Sequence, residues 1–353
     1  MLLVDVGTVG DDAAAPLTVE RQVTMAARRA SEFTAATERG GIGPETLDQL
    51  RDDVRDLAAA YLRNPVTTLV GPLAQAQDDV FGHLESRQRP SQAADLYLLA
   101  GVVSALLAKV SQDVGRPREA MTQARTAYVC ADNAGHPGLR AWSRGMQSLV
   151  TYWAGRPGEA ARYARLGAAE LGDDAGTVAA WLPALEARAW ALVGGSTEAA
   201  AAIGRAVDAR SAHVVDDLDE IGGLFTFPTA KQHYYAAGAL VHLDGSASHA
   251  AAEATAALEL YDSGADESYS DAAGARAELA LARVLADEVD GAGDALAPVF
   301  QLEPERRITG IVASAARVDA ALRRPGLVGS AVARTIRGEI EAFTRVSAAE
   351  LPR

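Results

Sequence analysis

The chain has 353 residues and a formal net charge of −14. An acidic excess of that size repels a phosphate backbone over most of the surface, so direct nucleic-acid binding is not expected. Hydrophobic residues make up 49 % and aromatics only 5 %, a balance that fills a core with small aliphatic side chains and favours helix packed on helix over sheet.

The opening Met1-Leu2-Leu3-Val4-Asp5 has no basic stretch, and its apolar run is too short for a signal or a membrane span. With Cys130 as the only cysteine, no internal disulfide or multi-cysteine zinc site can form, which fits a reducing compartment. The expectation is a cytoplasmic protein with a flexible segment over 1–17 and a single helical repeat domain over 18–350. In the segment opened by Gly43-Pro44-Glu45, Leu47, Leu50, Val54, Leu57, Tyr61 and Leu62 recur at the three-to-four spacing of one buried helix face. Pro44 suits the first turn of that helix, and Pro65 closes it.

A glycine-led turn then repeats at an interval of about forty residues. Its clearest copies are Gly115-Arg116-Pro117-Arg118-Glu119-Ala120 and Gly155-Arg156-Pro157-Gly158-Glu159-Ala160. Weaker ones are Gly195-Ser196-Thr197-Glu198-Ala199 and Asp290-Gly291-Ala292-Gly293-Asp294-Ala295. The glycine ends one helix in a left-handed conformation, the proline starts the next, and the glutamate sits at the new helix's positive end. Ala120, Ala124 and Ala127, echoed by Ala160, Ala164 and Ala168, provide a small-residue stripe where a neighbouring helix approaches closely. The predicted fold is all-α, a solenoid of stacked antiparallel helical hairpins.

Several runs resemble the tetratricopeptide-like sensory region of actinobacterial XRE-type transcriptional regulators. They are Asp95-Leu96-Tyr97, Ala124-Arg125-Thr126-Ala127, Ala134-Gly135-His136, Leu139-Arg140-Ala141-Trp142, Tyr152-Trp153-Ala154-Gly155-Arg156-Pro157 and Phe227-Pro228. The resemblance spans roughly 20–345 and lacks the helix-turn-helix that precedes this region in the family. It implies the sensory or interaction half of a regulator.

All four tryptophans lie between Trp142 and Trp190. Trp142, Met146, Leu149 and Trp153 share a helix face that reads as core, while Arg140, Arg144, Gln147 and Thr151 form a polar stripe on the other side. If that stripe faces a concave surface, Arg140, Arg144 and Gln147, together with Trp181, Phe227 and Tyr235, are the candidate ligand-binding residues. The local excess of arginine from Arg116 to Arg165 suits a carboxylate or phosphate, or else pairs with Glu119, Glu159 and Glu170 along the helices. Lys109 and Lys231 are the only lysines, a scarcity read as the codon bias of a GC-rich genome.

An insertion around 211–230 carries Asp216-Asp217-Leu218-Asp219-Glu220, Gly222-Gly223 and Phe225-Thr226-Phe227-Pro228. The acidic run lacks the order of a calcium loop and reads as a helix cap, and His136 reads as a C-cap. No phosphate-cradling loop, dinucleotide fingerprint, nucleophile elbow or His-Glu-x-x-His is present, so neither a metal nor a cofactor is expected.

Two readings follow. The first is a regulatory or sensor protein that binds a small molecule or peptide, anionic by the local arginine excess, in its concave groove. The second is a natural-product tailoring or cyclising enzyme on the same scaffold, with His233, Tyr234, Asp219 and Glu220 as its catalytic candidates. A protein partner and a homodimer stay open, and no membrane contact is expected.

Overall fold

The computed structural model describes residues 19–37, 41–172 and 175–348, so the N-terminal segment 1–17 lies outside the described residues. Within them the chain forms sixteen α-helices, packed in adjacent pairs, and no strand. They are α1 (Val19–Thr37), α2 (Pro44–Arg63), α3 (Val66–Leu84), α4 (Pro90–Asp113), α5 (Pro117–Ala134), α6 (Pro137–Trp153), α7 (Pro157–Ala168) and α8 (Val178–Leu192). After these come α9 (Ser196–Ala212), α10 (Asp217–Ile221), α11 (Thr229–Leu240), α12 (Ala247–Asp262), α13 (Tyr269–Leu285), α14 (Val289–Phe300), α15 (Thr309–Leu322) and α16 (Ala331–Thr344).

From α4 onward the helices alternate between two environments. In the inner row, α4, α6, α8, α11, α13 and α15 each touch the next. The outer helices α5, α7, α9 and α12 pack into the valleys between inner neighbours, and α14 and α16 pair beside α13 and α15. Sequence explains the division. α4 and α8 are apolar nearly all round and are buried on every side, whereas α5 presents one alanine stripe, Ala120, Ala124 and Ala127, and keeps its polar residues outside. α4 is the one helix among the described residues with the length and hydropathy to cross a membrane; 67 % of its apolar window is buried against its neighbours.

The turn chemistry holds at Gly115 (φ 72°) and Gly155 (φ 71°), after which the Arg116 and Arg156 amides donate back to the carbonyls of Ser111 and Thr151. Pro117 and Pro157 follow as first helical residues, with Glu119 and Glu159 in the first turns. Three details differ from the sequence reading. In the third copy the left-handed residue is Gly194 (φ 78°), and Gly195 caps α9. In the fourth, Asp287 (φ 65°) makes the turn, and Gly291 lies inside α14. In α7 the packing position after Ala164 belongs to Gly167, while Ala168 is exposed. A Cβ at Gly167 would sit 2.7 Å from the Leu182 side chain and 3.0 Å from the Ala141 carbonyl, so only glycine lets α7 approach this closely.

The inner row returns on itself. α15 touches α4, where Thr309 Oγ1 donates to the Asp113 carbonyl at 2.9 Å, and α2 reaches α13. The irregular stretch 213–228 falls within the expected insertion and crosses the interior through α10 and a 3-10 turn, Gly223–Phe225, which lies against α2. The inner face is thereby covered.

Candidate ligand-binding interior

The acidic run holds this crossing segment in place. Asp216 Oδ1 caps α10 by accepting from the Asp219 amide at 2.8 Å, and its Oδ2 accepts from the Gly176 amide at 3.1 Å. Asp219 accepts from the Thr177 amide at 3.0 Å and from the Thr177 hydroxyl at 2.5 Å, and the same Thr177 oxygen accepts from the Phe227 amide at 2.9 Å. The helix-cap reading of the run is therefore met, and it fastens the segment to the start of α8.

Thus anchored, the segment puts Phe225 4.8 Å from Trp142 and Phe227 5.4 Å from Tyr235, ring centroid to centroid, with Trp181 5.3 Å from Trp142. These rings, with Met146 and Leu149, enclose a cavity of about 10 Å³, room for one water. Its lining also includes Lys109 and Lys231, the only lysines of the chain.

Both lysines are paired. Lys109 Nζ lies 2.6 Å from the Asp113 carboxylate and donates to the Tyr61 hydroxyl at 2.6 Å; Tyr61 in turn donates to Asp113. Burial and the Asp113 charge push the Tyr61 phenol well above its ordinary value, so it stays a neutral donor. Lys231, 7 % exposed, lies 3.3 Å from Asp271. Burial works against its charge, but Asp271, Tyr235 and Asp113 together outweigh it and the ammonium titrates above the usual lysine range.

Next along α11 the lining continues into a second charged group. Arg188 of α8 is 1 % exposed, and its guanidinium stands 4.7 Å from the ring centroids of both Tyr152 and Tyr235. Glu278 of α13, also 1 % exposed, accepts from Arg317 of α15 at 2.6 Å. Arg317 also approaches His242 Nε2 at 3.3 Å. Since a guanidinium only donates, the imidazole must accept there and stay neutral. Burial first, and then the Arg317 charge, lower the His242 pKa to about 4.

This gives a pH prediction. The unfolded chain binds more protons at His242 between about pH 6.5 and pH 4, so its contribution is present above pH 6.5 and is lost as the pH falls toward 4. It amounts to about 3 kcal/mol. Urea unfolding across that range is expected to give a shallower pH slope for His242→Gln than for the parent chain; parallel slopes would contradict the assignment.

The expected site residues divide among separate places. Trp181, Phe227 and Tyr235 line the interior with Trp142. The stripe Arg140, Arg144, Gln147 and Thr151 faces away from it, toward α5 and α7. Arg140 Nε bonds Glu170 at 2.9 Å, Arg144 lies 3.9 Å from the Tyr128 ring centroid, and Gln147 accepts from Arg144 at 2.9 Å. Tyr128 and Arg140 hold Glu170 below the ordinary carboxylate range despite its partial burial. The arginines here are used in pairing.

The four catalytic candidates do not converge. Tyr234 is buried beside Arg188, Asp219 anchors the crossing segment, and Glu220 is exposed. His233 points to another side of α11, where Nδ1 lies 2.7 Å from Glu253 Oε2 at an apolar cavity of about 90 Å³ lined by Ala184, Ala187, Ile203 and Val207. His136 is an N-cap rather than a C-cap: its Nδ1 accepts from the Leu139 amide at 3.0 Å and its Nε2 lies 2.9 Å from Asp217. Cys130 is buried in α5, and burial lifts its thiol to about 11, too high for a nucleophile. No group of three or more His, Cys, Asp or Glu among the described residues could hold a metal.

Sequence reading gave no site role to Lys109 or Lys231, whose scarcity it read as codon bias, and missed Arg188, Glu278 and Arg317. The available signal was a charged residue set in an apolar run, as in Ala187-Arg188-Ala189 and Ala277-Glu278-Leu279.

Comparison with protein families, curated proteins and solved structures gives no match to this chain.

Proposed function

We propose that this chain is a sensor of the helical-repeat kind, a solenoid of tetratricopeptide-like hairpins that encloses a small aromatic molecule bearing an acidic group and does not transform it. The observation that carries this reading is that the chain's only two lysines line one aromatic cavity with Trp142, Trp181, Phe225, Phe227 and Tyr235. Rings supply a flat apolar surface, and the two ammonium groups, each beside its own carboxylate, supply hydrogen-bond donors, the usual composition of a small-molecule site. The resemblance to the sensory part of XRE-type regulators agrees with it, and binding then alters which protein partner the chain engages. The ligand belongs in the interior, and the Arg140 and Arg144 stripe is not part of the site.

At about 10 Å³ the cavity has no room for an aromatic ring, and Phe225, packed against Trp142, is one of the rings that line it. Ligand entry therefore requires Phe225 to leave, which Gly222 (φ 74°) and Gly223 (φ 56°) at the base of its turn make possible. The probe pair is 2-naphthoate and the neutral 2-naphthylmethanol, followed by quenching of tryptophan fluorescence. Naphthoate is expected to bind saturably, one per chain, and tighter than the alcohol. Phe225→Ala is expected to strengthen naphthoate binding roughly tenfold, since the ligand no longer displaces a buried ring. Equal affinity for the two probes, or no saturation in either protein, refutes the reading.

The second reading, a natural-product tailoring or cyclising enzyme, is favoured by one arrangement, the His233–Glu253 pair at its apolar cavity. An imidazole oriented by a carboxylate is a general base in form. It predicts turnover of a biosynthetic intermediate that is abolished in His233→Ala, whereas binding without any new product supports the sensor.

A further inference from the structure

The charges of the interior do not cancel. Lys109 is matched by Asp113 and Lys231 by Asp271, but Arg188 and Arg317 share the single carboxylate of Glu278. His242, held neutral, adds nothing. One positive charge is left over in a region where both Arg188 and Glu278 are 1 % exposed, and an uncompensated buried ion is costly.

The excess sits at a definite edge. Arg188 Nε and Nη2 have no hydrogen-bond partner among the described residues. In a guanidinium these two nitrogens lie on one side, and their N–H bonds run parallel, the arrangement that holds both oxygens of a carboxylate or two of a phosphate. The guanidinium stands over aromatic rings, with Tyr152 and Tyr235 centroids at 4.7 Å and Tyr234 at 5.4 Å. Beside the edge α11 carries Gly238, where a Cβ would stand 3.2 Å from Arg188 Nε and 3.3 Å from Glu278 Oε1. Glycine here keeps a side chain out of the space next to the unpartnered nitrogens. Arg317 Nε and Glu278 Oε2 are likewise without partners among the described residues.

We infer that the Nε–Nη2 edge of Arg188 binds an oxyanion group, a carboxylate or a phosphate. This deepens the sensor reading, on which it rests, by fixing where the acidic end of the ligand docks: at Arg188 beside Tyr235 and Gly238 of α11, with the aromatic part in the place that Phe225 leaves beside Trp142.

The test is thermal unfolding of the full chain at constant ionic strength in benzoate, inorganic phosphate or chloride. Benzoate or phosphate is expected to raise Tm saturably, by about 5 °C at a hundredfold excess over Kd, and chloride to do less. A response to benzoate alone identifies a carboxylate ligand, and a response to phosphate identifies a phosphorylated one. The rise is expected to vanish in Arg188→Met, and equally in Gly238→Ala, which retains every charge and only fills the space. Stabilisation identical in the three salts, or undiminished in a folded Arg188→Met or Gly238→Ala, overturns the assignment. The naphthoate experiment separates the two levels: tight naphthoate binding that ignores Arg188→Met leaves the sensor reading standing and removes this one. Benzoate or phosphate stabilisation without naphthoate binding retains an anion site and removes the aromatic chamber.

Discussion

Gly223→Ala is expected to unseat the crossing segment from α2. Gly223 has φ 56°, and a Cβ there would overlap the backbone carbonyl of Ala58 outright. The left-handed conformation alone costs an alanine about 1–2 kcal/mol, and overpacking against a main chain that cannot rotate away adds about 1–3 kcal/mol. A loss of about 3 kcal/mol in urea unfolding is the expected result. The loss has a functional signature as well. Because Phe225 is carried on the same turn, the variant is expected to bind naphthoate more readily even as it loses stability, whereas a general loosening of the fold weakens both. A stability within about 0.5 kcal/mol of the parent, the range of a neutral surface change, is incompatible with this packing.

Glu278→Leu is expected to be the most damaging single change among the interior charges. Its Oε1 accepts from Arg317, and among the described residues it is the only carboxylate serving both that residue and Arg188. Removing it leaves the buried Arg188 and the half-buried Arg317 without their shared counter-charge, a change of about 3–5 kcal/mol. Unlike an ordinary cavity mutation, this damage is expected to be reversible by a second substitution. Glu278→Leu combined with Arg317→Met removes one charge of each sign and is expected to regain most of the loss in calorimetry. A double variant no more stable than the single one would mean that the damage comes from packing.

Much of this architecture is legible in the sequence, because its signals are local. Gly115 and Gly155 with their following prolines spell a helix stop and start within three residues, and the alanine stripe of α5 follows from spacing alone. The apolar face of α2, from Leu47 to Tyr61, is legible for the same reason. What spacing does not encode is which neighbour a face meets. Arg144 and Gln147 share a side of α6, yet that side meets Tyr128 and α7 rather than the interior, and periodicity is identical in either case. The same limit hid the charged interior. Arg188, Glu278 and Arg317 lie on three helices far apart in the chain, and a single charge in an apolar helix has the same local pattern whether it reaches solvent or pairs across a core. For the lysines the usable clue was scarcity: two lysines in a chain otherwise supplied with arginine both came to the same cavity.

The contact between α15 and α4 has a consequence for how the molecule comes apart. A linear array of helical pairs melts from its ends, each unit depending only on its neighbours. Here Thr309 is tied to Asp113, and α2 to α13, so the last helices of the row brace the first. Neither end can fray at leisure without breaking the other's contacts. Hydrogen exchange should accordingly report similar protection for α4 and α15, and one cooperative loss of both.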